Sequence, residues 1–303
     1  MSKITIKGNA PDVLSILPAM PNPIQTLYGF SSPDALCSHV ESMPRGEYWN
    51  KQCLSEESSF YGTRTMDDAF ALCRNGWQEG AERVARIRDK VATNAPTQRR
   101  YARYAVAGAI PNVPRYLAGN PQHMLRLESA SARQRPVITL VNHMGGSAMI
   151  EANTFTNKCA VVAAVVDAIE NAGFSCHVIG VSYSATDGDS NKYLCGVAVT
   201  VKNPGEHVDI ARMAFALGHA AMFRRLVIGT RSSDSVNRPL TQNSGHTVDF
   251  QSSVPNVYVL PSMKVNESFF TTEERAMTRG LEHFVSTLRD QGCPAFRDDA
   301  MAA

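Results

Sequence analysis

The sequence lacks the short motifs that identify most nucleotide-binding and hydrolytic enzymes. It contains no G-x-x-x-x-G-K-[ST] phosphate loop, no G-x-G-x-x-G dinucleotide fingerprint and no G-x-S-x-G nucleophile elbow. These absences argue against phosphate-loop nucleotide chemistry and against an α/β-hydrolase site. No motif of this kind assigns an activity to the chain.

Paired cysteines are missing as well. The chain has seven cysteines, an odd number, and no two of them form a C-x-x-C pair. A disulfide framework is typical of an even number of cysteines, and a zinc site is typical of closely spaced ligand pairs. The pattern therefore predicts buried free thiols in a reducing compartment. The cysteines are Cys37, Cys53, Cys73, Cys159, Cys176, Cys195 and Cys293.

Long apolar runs are also absent. The longest, around residues 159–166, is far shorter than a bilayer span requires, and the N-terminus lacks the apolar core of a signal peptide. We therefore expect no membrane insertion and a location in the cytoplasm of the host cell. The net charge of +2 does not by itself indicate nucleic-acid binding.

The length of 303 residues and the hydrophobic content of 44% predict a protein with a sizeable core, in one large domain or two ordinary ones. We place a boundary near residue 134, dividing a mainly helical N-terminal region (1–134) from a C-terminal domain (135–303). Residues 3–7 alternate and suit a short edge strand. Ser32 and Thr65 have the features of helix N-caps, and Gly76 those of a helix C-terminus.

The C-terminal domain alternates between strand-like and helix-like segments. This alternation predicts an α/β fold with a mostly parallel open sheet and flanking helices. The two directly joined strands, 175–182 and 193–202, suit an antiparallel hairpin. The predicted strands are 137–141, 175–182, 193–202, 225–229 and 257–260, and the predicted helices are 157–171, 206–220 and 272–291.

The loop after the first of these strands is the first candidate site, because open α/β sheets bind ligands at the carboxyl ends of their strands. Its two glycines permit close approach of a ligand to the backbone. The alternative is a tight strand-to-helix turn that needs glycine for structural reasons alone. The candidate ligand residues are Asn142, His143, Gly145, Gly146 and Ser147.

The strand order and this loop resemble a von Willebrand factor A domain. That family carries an Asp-x-Ser-x-Ser metal motif after its first strand, and the matching positions here are Asn142, Met144 and Gly146. Hard divalent cations favour charged oxygen ligands, and this loop has no carboxylate. We therefore predict no metal site and no cofactor, and we assign no catalytic residue.

The second candidate site is a basic segment, and its part at 97–136, which contains several prolines, is expected to be irregular. Residues 83–135 contain eleven basic and two acidic residues, and residues 99–104 interleave arginine with tyrosine. Arginine neutralises phosphates and aromatic rings stack on bases, although protein interfaces use the same two residue types. The alternative is a solvated face that pairs with acids such as Glu56, Glu57, Asp67 and Asp68. The candidate partner-binding residues are Arg99, Arg100, Tyr101, Arg103, Tyr104 and Arg115.

Three further stretches resemble an uncharacterised family of tailed-phage and prophage proteins. They are Tyr61–Gly80, Val106–Pro121 and Val165–Phe174. The resemblance implies a phage origin and supplies no established activity.

Three functional hypotheses follow. The first is a non-enzymatic phage protein whose basic segment binds nucleic acid or a phage or host protein during infection. The second is a virion or assembly component, located in the particle, in which the same surfaces form subunit contacts, including contacts within a homo-oligomer. The third, an enzyme that uses the 142–147 loop, is the least supported, because the loop lacks carboxylates and phosphate-binding motifs.

Overall fold

The computed structural model describes residues 3–17, 24–43, 58–92, 101–107, 110–128, 135–146, 149–185, 193–232, 246–265 and 267–296. The strands are β1 (Lys3–Gly8), β2 (Ile24–Phe30), β3 (Tyr101–Ala105), β4 (Ile110–Pro111), β5 (Met124–Glu128), β6 (Val137–His143), β7 (Ser175–Ala185), β8 (Tyr193–Lys202), β9 (His246–Thr247) and β10 (Val257–Leu260).

The α-helices are α1 (Pro33–Glu41), α2 (Ser58–Tyr61), α3 (Met66–Asn75), α4 (Gln78–Ala92), α5 (Val113–Leu117), α6 (Ala152–Asn171), α7 (Ile210–Gly218), α8 (Ile228–Ser232), α9 (Glu273–Arg275) and α10 (Leu281–Asp290). Two π-helical turns, Met222–Val227 and Ala276–Gly280, run directly into α8 and α10. Two 3-10 turns span Pro11–Ile16 and Pro294–Phe296.

One large sheet organises the fold. Its strands lie in the order β1-β2-β8-β7-β6-β10, and β9 pairs with the C-terminal end of β7. Along this order every pair is parallel except β7 with β8, which form an antiparallel hairpin. The predicted mostly parallel sheet with flanking helices and the predicted hairpin are both confirmed.

The N-terminal region contributes strands as well as helices. β1 forms an edge of the large sheet, and β2 pairs in parallel with β8 over Ile24–Phe30. The predicted edge strand at residues 3–7 is thus confirmed. A mainly helical N-terminal region is not, because β1 and β2 belong to the same sheet as the C-terminal strands. The boundary near residue 134 stays a prediction.

Two secondary-structure predictions were wrong. Residues 225–229 are helical, in the first π-helical turn and the start of α8, and do not form a strand. Their apolar run is short, and a short apolar run fits a buried helix as well as a buried strand. Within residues 97–136, which we expected to be irregular, β3, β5 and β4 form a small antiparallel sheet and α5 follows β4. We call residues 101–107 and 110–128 the small-sheet module.

Local capping signals match the structure closely. The Ser32 side chain accepts a hydrogen bond from the Ala35 amide and begins α1. Thr65 and Asp68 form a reciprocal capping box at the start of α3. Gly76 follows that helix with φ of 77°, a conformation that glycine adopts without strain.

The core lies on both faces of the large sheet. On one face α6 is buried along almost its whole length and packs with α4 and α7. On the other face the 3-10 turn Pro11–Ile16 covers part of β7 and β8. All six cysteines among the described residues are free and buried, as predicted for them. Cys53 lies outside the described residues.

Two adjacent arginines of the first π-helical turn are buried and bond to backbone carbonyls. Arg224 donates to the carbonyl oxygens of Phe60 and Ile150 at 2.6 and 2.5 Å. Arg225 donates to the Thr63 hydroxyl at 2.8 Å and to the Thr63 and Arg64 carbonyls at 2.6 and 3.0 Å. The pair thereby ties the segment after α2 to the centre of the fold.

Replacing Arg225 with Met is expected to destabilise the protein by about 2–4 kcal/mol, because the buried acceptors of Thr63 and Arg64 lose their donor. Urea unfolding followed by circular dichroism measures the change. Arg279→Met is the matched control, since Arg279 is exposed in the other π-helical turn and the change there should stay within about 0.5 kcal/mol. Equal effects of the two substitutions would contradict the proposed role of the buried bonds.

Candidate functional site

The carboxyl ends of β6 and β10 lie side by side at the position where open α/β sheets usually bind ligands. From β6 the chain passes through α6 to β7 on one side, whereas β10 pairs with β6 on the other side. The strand order therefore has a switch point between β6 and β10, and a crevice forms at the carboxyl ends of the strands at such a point. The 142–147 loop begins at this crevice.

The loop is packed into the protein. Asn142, His143, Met144 and Gly145 are buried, and Gly146 is partly exposed and forms a parallel bridge with Met263. Ser147 lies outside the described residues. A Cβ atom at Gly145 would lie 2.9 Å from Cε1 of His143, so close packing alone explains glycine at this position. The predicted ligand role of the loop stays a prediction.

His143 is held by two bonds that define its protonation. Its Nδ1 atom accepts a hydrogen bond from the Gly145 amide at 3.1 Å, and its Nε2 atom lies 3.2 Å from the Val248 carbonyl oxygen. An acceptor Nδ1 and a donor Nε2 describe a neutral ring. Burial, reinforced by the positive charge of Lys158, lowers the pKa of His143 to about 3.

Lys158 of α6 occupies the crevice between the two strands. Its side chain is buried, and Nζ donates to the carbonyl oxygens of His143 at 2.7 Å and Pro261 at 2.9 Å. These bonds join the end of β6 to the segment that follows β10. Burial lowers the pKa of Lys158 to about 7. The amine can therefore exist in its neutral form near pH 7, although at 1% exposure it has no contact with solvent.

Asp249 supplies negative charge to this cluster. Burial alone would raise its pKa, but hydrogen bonds from Ser262, with the positive charges nearby, hold the pKa below its usual value. The Ser262 amide donates to Oδ1 at 2.9 Å, and Lys264 lies 3.7 Å from Oδ2. The carboxylate thus also fixes the segment after β10, which Lys158 contacts at Pro261.

A second buried cation lies at the end of β7. Arg231 donates to the hydroxyls of Ser184 at 2.7 Å and Ser182 at 2.5 Å, while its Nε atom has no hydrogen-bond partner among the described residues. Oδ1 of Asn142 likewise has none there. The sequence prediction missed Lys158 and Arg231. The available signal was a single basic residue beside an otherwise apolar helical run at 159–166.

The structure separates the basic segment into two parts. In α4 the arginines form ion pairs within the fold: Arg83 and Arg86 with Glu273, and Arg88 with Asp167. These three arginines share two carboxylates, so most of their charge is paired, as in the alternative of a paired basic face, but by acids different from those expected. Asp68 instead caps α3. Glu56 and Glu57 lie outside the described residues.

The small-sheet module holds the other part. The register of β3 on β5 sets Arg103 opposite Arg126 and Tyr101 opposite Glu128. Arg99 and Arg100 lie outside the described residues.

The structure brings Tyr104 and Arg115 together. The Arg115 guanidinium lies 4.1 Å from the centroid of the Tyr104 ring, and Asn112 donates to the Tyr104 hydroxyl at 3.0 Å. Arg115 Nε also donates to the Gln122 carbonyl at 3.2 Å. The contact covers a face of the Tyr104 ring, which a base would need for stacking.

The module exposes apolar side chains that the sequence prediction did not single out as a site. Their exposure ranges from 53% for Ile110 to 78% for Leu117, and no described side chain of the module is fully buried. Within the described residues the small sheet makes no extensive contact with the large sheet or its helices. The exposed apolar residues are Val106, Ile110, Val113, Tyr116 and Leu117.

The described part of the chain contains neither a cluster of metal ligands nor a helix that could span a membrane. No group of three or more His, Cys, Asp or Glu residues there is arranged to hold a metal ion. No helix there combines the length and the apolar character needed to cross a membrane.

The fold and the site define a protein with a mostly parallel α/β sheet, a buried pair of Lys158 and His143 beside the more exposed Asp249 at its strand ends, and a small basic sheet. The sequence matches the DUF7192 family, described as a domain of unknown function, over residues 21–288. The chain belongs to this family. Neither the curated proteins nor the solved structures contain a match.

Stability should depend on pH through Lys158. The folded pKa is about 7 and the unfolded pKa about 10.4, so between these values the unfolded chain binds the extra proton. Stability from this group therefore rises with pH across that window, by at most about 1.4 kcal/mol per pH unit. Below pH 7 Lys158 is charged in the folded protein as well, and the increase in the free energy of unfolding is lost.

Lys158→Met removes this titration. The stability of the wild type relative to the variant is expected to increase between pH 7 and pH 9, as measured by urea unfolding at several pH values. Lys3→Met, at an exposed position on β1 away from the crevice, is the control and should leave the slope unchanged. A wild-type minus variant difference that stays flat across this range would contradict a depressed pKa at Lys158.

Proposed function

We propose that the chain is a binding protein whose small-sheet module docks on a partner protein. The observation that carries the proposal is the exposed apolar set Val106, Ile110, Val113, Tyr116 and Leu117. A module of under 40 residues cannot bury enough surface to be stable by its own core. Apolar patches of this kind on small antiparallel sheets are typical of surfaces that another protein covers.

The charge around this patch describes the partner. Residues 99–128 contain five arginines and a single acid, Glu128. An acidic surface that surrounds an apolar centre would complement this arrangement. A symmetric contact between two copies of the module would instead set the basic residues against each other. We therefore propose that the partner is a different protein, one whose surface carries acidic and apolar groups.

The apolar patch favours a protein over a nucleic acid. Binding to nucleic acid depends on accessible arginines and aromatic rings, and Arg115 covers a face of the Tyr104 ring. The likeness to tailed-phage proteins would make the partner a phage or host protein met during infection, and a virion subunit is the alternative. The likeness of the C-terminal half to a von Willebrand A domain supports a scaffold role for that half.

Site-specific photocrosslinking tests the docking surface. A photoreactive phenylalanine analogue replaces Leu117, and a matched variant carries it at Met149, which is 79% exposed outside the module. We expect the analogue at position 117 to crosslink to one discrete partner protein and the analogue at position 149 to crosslink to none. The purified partner should then bind the chain directly, with about tenfold weaker affinity for Val113→Ser/Leu117→Ser and unchanged affinity for Met149→Ser.

Nucleic acid is tested in parallel with a labelled 20-nucleotide single strand and its duplex. Binding that weakens steeply with salt, and that survives Val113→Ser/Leu117→Ser, would overturn the protein-partner proposal in favour of nucleic acid. Crosslinks at position 117 between two copies of the chain would overturn it in favour of self-assembly.

A further inference from the structure

The two edge strands of the large sheet, β10 and β1, differ in what their outer sides contact. At one edge the side-chain amide of Gln291 pairs with one residue of β10: the Val259 amide donates to Oε1 and Nε2 donates to the Val259 carbonyl, both at 2.8 Å. A side chain thus takes the place of a neighbouring strand there. At the other edge, no strand among the described residues pairs with the outer side of β1.

β1 presents two different faces. Its register on β2 sets Ile4 beside Gln25 and Ile6 beside Leu27, and Leu27 packs against the core that includes Leu14. Ile4 and Ile6 are nevertheless 54% and 56% exposed. They extend that core to the rim of the sheet, where a further strand would cover them.

The opposite face of β1 is basic. Lys3, Thr5 and Lys7 alternate with the isoleucines, and the Lys7 ammonium lies 5.9 Å from the centroid of the Tyr28 ring. Opposite charges at facing positions of neighbouring strands stabilise the pair, and like charges destabilise it. A strand added next to β1 is therefore favoured when acidic residues face Lys3 and Lys7.

The same rule disfavours a second copy of this chain. The sequence Lys-Ile-Thr-Ile-Lys is symmetric about Thr5. Antiparallel pairing of two copies about Thr5 would set Lys3 of each copy opposite Lys7 of the other, two like-charged pairs.

We infer that β1 accepts an extended segment of a partner protein as an additional strand, with apolar residues facing Ile4 and Ile6 and acidic residues facing Lys3 and Lys7. Main-chain hydrogen bonds along the outer side of β1, which no strand of the described residues covers, supply affinity, and the alternating side chains supply selectivity. This surface is separate from the small-sheet module and does not depend on the function proposed for it.

Methyl NMR of the full-length chain with labelled isoleucines tests the inference. The probe is a capped peptide containing Glu-Val-Thr-Val-Glu, and its control contains Lys-Val-Thr-Val-Lys. We expect the acidic peptide to shift the Ile4 and Ile6 methyl signals, with Ile110 and Ile210 unaffected. The basic peptide should bind about tenfold more weakly.

Charge reversal provides the matched variants. Lys3→Glu/Lys7→Glu should exchange the preference, so that the basic peptide binds more tightly than the acidic one. Arg275→Glu/Arg279→Glu, at exposed positions away from β1, should change neither affinity. Thermal unfolding of each variant checks that the fold is retained.

Three outcomes would overturn the inference. The first is an absence of Ile4 and Ile6 shifts at millimolar acidic peptide, which would mean that the lysines only protect this edge from pairing. The second is equal binding of both peptides by the wild type and the charge-reversed variant. The third is a change of the same methyl signals with protein concentration alone, which would assign the edge to a second copy of the chain.

Discussion

The bonds of one buried amine hold the carboxyl ends of the central strands in place. Lys158 reaches from α6 to the carbonyl of His143 at the end of β6 and to that of Pro261 beyond β10. Buried carbonyls need donors, and here one side chain supplies two of them across the crevice. The arrangement of the loop, of His143 and of the Asp249 segment depends on this bridge.

The buried cations of the fold follow the same physical rule. Lys158 and Arg224 each bond to backbone carbonyls of two different segments, and Arg225 bonds to the adjacent carbonyls of Thr63 and Arg64. Hydrogen bonds to charged donors are stronger than neutral ones and offset part of the cost of burial. These cations join segments distant in sequence, while the surfaces suited to partners lie at the periphery, on β1 and the small-sheet module.

Local sequence signals predicted a large part of the fold. Ser32, Thr65 and Gly76 were interpreted correctly because caps act within one helical turn. The strand at 257–260 and the hairpin of β7 with β8 were also predicted, since buried strands and short connections leave local patterns. The segment at 225–229 was misassigned because its apolar run is too short to distinguish a helix from a strand.

The candidate sites were predicted less completely. The candidate loop after β6 begins at the edge of the sheet where Lys158 and Arg231 are buried. The sequence signalled Lys158 only by its position beside the apolar run 159–166, and it gave no signal for Arg231. In the basic segment, Tyr104 and Arg115 were named and do contact each other. The exposure of Val113 and Leu117 was not predicted, because no periodic pattern of polar residues in the sequence indicates it.

The sequence by itself determined the helix caps, the main buried strands, the absence of common nucleotide motifs and the free thiols of the described cysteines. Only the tertiary structure decided that β2 pairs with β8, that Lys158 is buried and that Val113 and Leu117 are exposed. Caps and strand runs depend on neighbours within a few residues. Strand pairing and burial depend on contacts between distant residues, which a local pattern does not encode.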